Sequence, residues 1–327
     1  MIIEPELSRW LGNRERQRQA VESADALGRQ WRLGNVRTSF ARALADLPTP
    51  SAEAAIEAFR GLFEDTHWAD GLIETLSSGL ADDAFVVPPF AALKSDIHSG
   101  LMLFDDEAAS VSLSAIRVDG LAAKKGRPRG PVSIGFTGQA TIIKFIRSGG
   151  ALLSFWEAPP IDASFNAADA GRCRRTGERR IEDGEIVIFD GRRESYVIEY
   201  AATNMVMLQA SIRLDQAPLA VEYDAIGHTY VGCSAVDDRA SRIQMIVTLL
   251  RSLGRSDAFP VAAGLLDHQD FFVRWHVMRE LISMDAGRSL PFLRRMAAAD
   301  PHGDTRRAAA SALAFVEARL NPIGMAA

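Results

Sequence analysis

DGEIVIFDGRRESYVIEY, residues 183–200, is the stretch on which the fold turns. Glu185–Phe189 and Ser195–Tyr200 read as two strands on either side of an Asp190-Gly191 corner. In the second strand Tyr196, Ile198 and Tyr200 share one face, and Val197 and Glu199 take the other, as a period of two requires. Six more short apolar stretches lie around this pair: HSGLMLF, SVSLSAIRV, VSIGFTG, ALLSFWE, MVMLQASI and HTYVG. Gly, Asp, Asn and Pro separate them. Eight short strands with regular turn signals between residues 97 and 235 predict a sandwich or a closed antiparallel β-barrel.

Residues 1–95 read as helical. Thr49-Pro50 reads as a helix start, with a hydroxyl at the N-cap and a proline at the first helical position. Ile56, Phe59, Leu62 and Phe63 then recur at helical spacing. Asp70 reads as the start of the next helix. Trp10, Leu27, Trp31, Phe40 and Leu44 are candidate packing residues in the earlier part, which reads as a helical cap on the β region or a partner-binding helix pair.

Residues 237–327 return to helix and contain a repeat of 32 residues. Arg242, Arg274 and Arg306 coincide under this shift, as do Met245, Val277 and Ala309, and Leu249, Leu281 and Leu313. Ile246, Met278 and Ala310 align as well. Pro260 and Pro291 stand near the starts of the intervening segments. Such a period marks stacked supersecondary units, each leaving an apolar face for a neighbour to cover. LLDHQDFFVRWHVMREL (265–281) and AAADPHGDTRRAAASAL (297–313) resemble HEAT-like repeats, with an Asp, then Val-Arg or Thr-Arg, then a helix ending in Leu. In the third copy His302 takes the slot that Asp238 and Asp270 hold in the first two.

The β region resembles a cupin. GEIVIFDG (184–191) matches the later motif of that family, and Glu194 falls nearest the slot of its third metal-binding histidine, given a corner one residue shorter. The earlier motif aligns with GGALLSFWEAPPI (149–161), where the two histidine slots fall near Trp156 and Ala158. Neither side chain ligates a metal. The resemblance therefore implies the scaffold and not the ligand set, and the expectation is that no cofactor is held. A rebuilt metal site would have to draw on His98, Glu157, Glu194 and His228, a donor set suited to iron, manganese or zinc.

Arg172, Arg174, Arg175, Arg179 and Arg180 crowd RCRRTGERR, read as one loop, and Arg192 and Arg193 follow at the next corner. Brought together, they could grip a small acidic ligand bidentately; interspersed Glu178, Glu182, Asp183 and Glu185 favour a salt-bridged surface instead. Cys173 sits among these arginines, which would favour its thiolate; the alternative is an incidental surface cysteine. Lys124 to Gly130 (KKGRPRG) is similar to an AT-hook, but lies between candidate strands and reads as a polar hairpin loop.

The formal net charge of −5 argues against a surface built throughout for phosphate. Two cysteines support neither a disulfide framework nor a structural zinc site. MIIEPELSRW lacks the basic and then apolar pattern of a signal peptide, and no apolar run is long enough to span a membrane, so a cytoplasmic protein is expected. The fold class expected is α+β and multidomain: N-terminal helices (1–95), a cupin-like antiparallel β-barrel (97–235) and C-terminal HEAT-like α-helical repeats (237–327). The function expected is non-catalytic recognition or regulatory scaffolding, with a protein or peptide partner and a small acidic ligand as the second candidate. The alternatives are a metal-dependent cupin-type oxygenase or isomerase with nonstandard ligands, and a nucleic-acid-associated factor using the basic loops. Homo-oligomerisation stays open.

Overall fold

A computed structural model describes residues 5–33, 35–82, 85, 88–125, 133–162 and 164–320. Helices α1 (Pro5–Leu11), α2 (Arg14–Leu33), α3 (Asn35–Ala45), α4 (Ala52–Glu64) and α5 (His67–Asp82) come first. Strands β1 (Ala91–Lys94), β2 (His98–Asp105) and β3 (Ala109–Ile116) precede α6 (Val118–Lys125). Then come β4 (Ser133–Phe136), β5 (Ala140–Arg147), β6 (Leu152–Glu157), β7 (Arg174–Arg180), β8 (Ile186–Asp190), β9 (Glu194–Tyr200), β10 (Met205–Ile212), β11 (Leu219–Asp224) and β12 (Tyr230–Ala235). Helices α7 (Asp238–Ser252), α8 (Phe259–Gly264), α9 (Phe271–Met284), α10 (Ala286–Ala299) and α11 (Gly303–Leu320) end the described chain. No described helix is long and apolar enough to cross a membrane.

The chain divides into two compact units. One comprises Met1–Ala158, Cys173–Gln216 and Tyr223–His228; the other comprises Pro159–Arg172, Ala217–Glu222 and Thr229–Ala327.

In the first unit a six-stranded sheet runs β1-β2-β3-β10-β5-β8, and a three-stranded sheet runs β7-β6-β9. All their pairings are antiparallel. Strands β11 and β12 lie in a third, three-stranded sheet. The expected closed barrel is thus corrected: among the described residues the strands form three separate sheets. Shifts of register at Met102/Phe104, Val206/Met207 and Phe155/Trp156 mark bulges, which bend a strand and end regular pairing.

β10 shows how alternation builds two cores. Leu208, Ala210 and Ile212 point to one face and pack with Phe40, Phe59 and Phe63 of α3 and α4. Met205 and Met207 point to the other and pack with Phe145, Leu153, Phe155 and Tyr196. The N-terminal helices thus cover the outer face of the large sheet, and the inner face meets the small one. Trp31 Nε1 donates to the Leu103 carbonyl at 2.9 Å and Lys144 Nζ to the Glu64 carbonyl at 2.8 Å, pinning this helical layer to the sheet.

Two corners of the opening stretch need glycine. Gly184 has φ +83, a conformation side chains avoid, and at Gly191 a Cβ would lie 2.3 Å from the Gln139 carbonyl oxygen. Other readings shift. RCRRTGERR is not a loop: Arg174–Arg180 is strand β7, paired along β6. Lys124 and Lys125, read as the start of a hairpin loop, end α6 instead, and 126–130 of the AT-hook-like segment lie outside the described residues. The helix read from Asp70 starts at His67, after Asp65 Oδ1 accepts from the His67 amide at 3.1 Å. Pro291 sits inside α10 and not near its start, because Asp285 caps the helix by accepting from the Arg288 amide at 2.9 Å.

The helical part of the second unit is built around α9, where Val273, Val277, Met278 and Leu281 are wholly buried. Its repeated arginine makes the same contacts in successive copies. Arg274 Nη1 donates to the carbonyls of His268 and Gln269, both at 2.8 Å. Arg306 Nη1 donates to the carbonyls of Asp300 and Pro301, the same two positions one repeat later. Arg274 also grips the Asp300 carboxylate through Nε at 2.8 Å and Nη2 at 2.7 Å.

The start of α4 tests the cap assignment. Thr49 was read as the N-cap, but Ser51 takes that place: its hydroxyl accepts from the Ala54 amide at 3.2 Å, while Asp215 Oδ2 accepts from the Ala52 amide at 3.0 Å. Ser51→Ala is expected to lower unfolding free energy by about 1 kcal/mol in urea titration, and Thr49→Ala by less than about 0.5 kcal/mol. The reverse order would restore the sequence-based start.

Candidate functional site

The structure brings two of the four candidate metal ligands together, Glu157 and Glu194, but not His98. Glu157 ends β6 and Glu194 begins β9, directly opposite each other in register. Glu157 is paired with Arg174, and Glu194 Oε2 accepts from the Asp190 amide at 2.9 Å. His98 opens β2 level with Ile116, which in turn is level with Met205. Asp190 is level with Ala140, which is level with Ile212. Seven residues of strand separate those two levels, about 23 Å. His228, at φ +56, lies edge-on to Trp156 with ring centroids 4.9 Å apart. Among the described residues no three His, Cys, Asp or Glu side chains are grouped to hold a metal ion.

The two slots examined for histidines differ in kind from ligands. Trp156 is buried and donates through Nε1 to Ser154 Oγ at 3.0 Å; that hydroxyl donates to Glu199 Oε1 at 2.6 Å. Leu153 and Phe155, on the opposite face of β6, belong to the apolar fill between the sheets. That fill includes Tyr196, stacked on Phe189 at 4.8 Å, and burial pushes the Tyr196 phenol up to about 12. A row of small polar residues, Ser112, Ser114, Gln209 and Ser211, shares the Met207 face.

Five of the seven arginines, Arg174, Arg175, Arg179, Arg192 and Arg193, are matched by carboxylates. Arg175 pairs with Glu178 and Arg179 with Glu185, while the Arg179 guanidinium lies 5.4 Å from the Phe155 ring centroid. Arg180 donates to the Gly150 carbonyl at 3.1 Å. Arg192 and Arg193 both reach Asp190, at 2.8 and 3.4 Å. Burial alone would raise the Asp190 pKa, but hydrogen bonds from the Arg192 side chain and amide, with the charges of Arg192 and Arg193, hold the carboxyl below its usual range. Arg172 bridges Thr229 through its backbone. Exposed pairs of this kind contribute little stability, and a ligand would have to displace them to use the guanidinium groups.

Cys173 corrects both of its readings. It is neither a surface cysteine nor an activated one: its side chain is buried, and that burial pushes the thiol up to about 11. Cys233 is exposed.

One feature escaped the sequence reading although its residues were aligned there. The face of α7 toward α9 is occupied: Gln244 Nε2 donates to the Phe272 carbonyl at 3.5 Å, Thr248 Oγ1 to Glu280 Oε1 at 3.0 Å, and Arg251 pairs with Glu280. Ala240 and Val247 face the core. Met245, Ile246, Leu249 and Leu253 remain exposed, and a shallow groove of about 470 Å³ runs along Ser241, Met245, Leu249 and His276. The signal lay in chain order: a strand, β12, precedes α7, so α7 lacks the helix that α8 provides for α9.

Residues 235–314 match a family model described as HEAT repeats. No curated protein matches the chain. Among solved structures, this chain is similar to a cupin domain from Bordetella pertussis Tohama I, at 15% identity, covering 37% of this chain and 97% of that one with TM-score 0.22. It is also similar to a sugar phosphate isomerase of the cupin superfamily from Silicibacter pomeroyi, at 13% identity, covering 43% and 77% with TM-score 0.23. A third similarity is to ectoine synthase from P. lautus, at 14% identity, covering 37% and 68% with TM-score 0.18. The HEAT-like reading of the C-terminal helices stands over residues 235–314.

The two cysteines offer a direct check. At pH 8 the native protein is expected to react rapidly with one equivalent of a thiol reagent, at Cys233, and with the second only after denaturation. Two fast equivalents would mean that Cys173 is accessible and ionised.

Proposed function

We propose that this chain is a recognition scaffold whose helical repeats hold a partner protein through an apolar-faced helix laid along α7. The observation that carries the reading is a break in the repeat. Met245, Ile246 and Leu249 are 63%, 56% and 56% exposed, whereas Val277, Met278 and Leu281, 32 residues later, are 0% exposed. Terminal repeats ordinarily present a polar outer face for solubility. α7 instead keeps the large side chains that the middle repeat buries. Their spacing of three to four residues, with Leu253 one further turn on, suits the anchors of an amphipathic helix lying in a groove.

The geometry of the β region favours this reading over a metal-dependent oxygenase or isomerase. The carboxylates nearest a cupin slot, Glu157 and Glu194, are engaged with Arg174 and a backbone amide, and His98 lies at the other end of the sheet. A small organic acid remains the second candidate ligand, but Arg174, Arg175, Arg179, Arg192 and Arg193 already have carboxylate partners.

A photo-crosslinking residue at position 246, in the cells that make the protein, tests the proposal. The expected result is a discrete adduct that a probe at exposed Ser283 does not give and that Leu249→Glu abolishes. Leu249→Glu should leave the thermal midpoint within about 2 °C, while Leu281→Glu should unfold the repeats. An adduct indifferent to Leu249→Glu would refute the α7 site. An adduct of twice the chain mass would make the occupant a second copy, and would overturn a separate partner.

A further inference from the structure

The second unit has an open pocket of about 820 Å³, walled mainly by the turns that precede α9 and α11 and by the end of α10. His268, Asp270, Phe271, Arg274, Asp300 and His302 all line it. This is the size of a small-ligand site.

His302 is 8% exposed, and its ring lies flat on Phe271, with centroids 3.7 Å apart and planes 5° apart. Nε2 lies 3.2 Å from the Phe165 carbonyl oxygen. A carbonyl can only accept, so Nε2 carries the proton. In the neutral ring Nδ1 is then an acceptor, and among the described residues it has no hydrogen-bond partner. A buried acceptor without a donor is costly, and this one belongs to a side chain that lines the cavity.

A second acceptor stands on the same wall. Asp270 is the N-cap of α9, yet its side chain makes no capping hydrogen bond. Its amide donates to His268 Nδ1 at 3.1 Å, so that nitrogen has no proton to return to the carboxylate 3.6 Å away. Burial raises the Asp270 pKa, as expected of a carboxylate short of donors. Arg274, the cation of the same helix, is committed to Asp300 and to two carbonyls. Arg295 and Arg307 are paired with Asp267 and Asp304. Under the 32-residue shift His302 occupies the slot of Asp270, so replacement of Asp by His supplies a neutral acceptor beside a charged one.

We propose that this cavity binds a ligand through an ammonium or guanidinium group that donates to His302 Nδ1 and to the Asp270 carboxylate. The group belongs either to a free organic amine or to a basic side chain of a peptide. The site is separate from the α7 face, and neither proposal needs the other.

Calorimetric titration of the full chain with agmatine, spermidine and the tripeptide Gly-Arg-Gly tests it, with acetate as the anionic control. At least one cationic probe should bind saturably at one per chain. Binding of agmatine or spermidine indicates a free amine, and binding of the tripeptide alone indicates a peptide side chain. Asp270→Asn, which keeps a capping side chain, and His302→Gln, which keeps a donor near the Nε2 position, should each weaken binding roughly ten-fold or more. Absence of saturable binding by all three cations, saturable acetate binding instead, or unchanged affinity in Asp270→Asn would overturn the proposal.

Discussion

The helical repeats depend on one buried side chain, Arg274. It is 6% exposed and carries a full positive charge, so it survives in the interior only because every side of the guanidinium is met. The Asp300 carboxylate takes two of its donors and the carbonyls of His268 and Gln269 take another. This ties the turn before α9 to the turn before α11. Asp300 in turn accepts from the His302 amide at 2.8 Å, which places the imidazole over Phe271. Burial alone would raise the Asp300 pKa, but the hydrogen bonds from Arg274 and His302 lower it. The stability this carboxylate contributes is therefore present above the ordinary carboxylate range and is lost as pH falls through its lowered folded value.

The two units use apolar surface differently. Between the sheets of the first, Phe145, Leu153, Phe155, Phe189 and Tyr196 form one apolar fill. In the second, the stacking that Arg274 holds leaves an end. α9 has neighbours on both sides, so Val277, Met278 and Leu281 vanish from solvent. On α7 the equivalent positions, Met245, Ile246 and Leu249, stay exposed. An exposed apolar row on a soluble helix is a liability for aggregation unless something covers it, which is why we place recognition there.

Much of this was legible in the sequence, and the exceptions have physical causes. MVMLQASI was read as a strand with the bounds β10 has, because every second side chain is buried on one of two cores. The 32-residue register of Arg242, Arg274 and Arg306 was legible because stacking repeats the same packing problem. β7 was not legible: RRTGERR is exposed along its whole length and has no apolar period, and only pairing with β6 makes it a strand. β5, ATIIKFIR, was passed over because its first four residues are all buried, so it shows a run and not an alternation. The salt-bridged surface was legible from the interspersed carboxylates, whereas the pairing of Glu157 with Arg174, 17 residues on, needs the β6–β7 register. The cavity escaped for the same reason. His302 meets Phe165 across 137 residues, and its replacement of Asp read only as the mark of a terminal repeat.

The most direct test of this account is a double-mutant cycle on Arg274→Met and Asp300→Leu, read by urea unfolding of the repeats. If the pair is the clamp described, each single change leaves a buried charge unmatched and costs about 3–5 kcal/mol, and the double variant costs well below the sum. Additive losses, or single losses below about 1 kcal/mol, would show that the repeats do not hang on this contact.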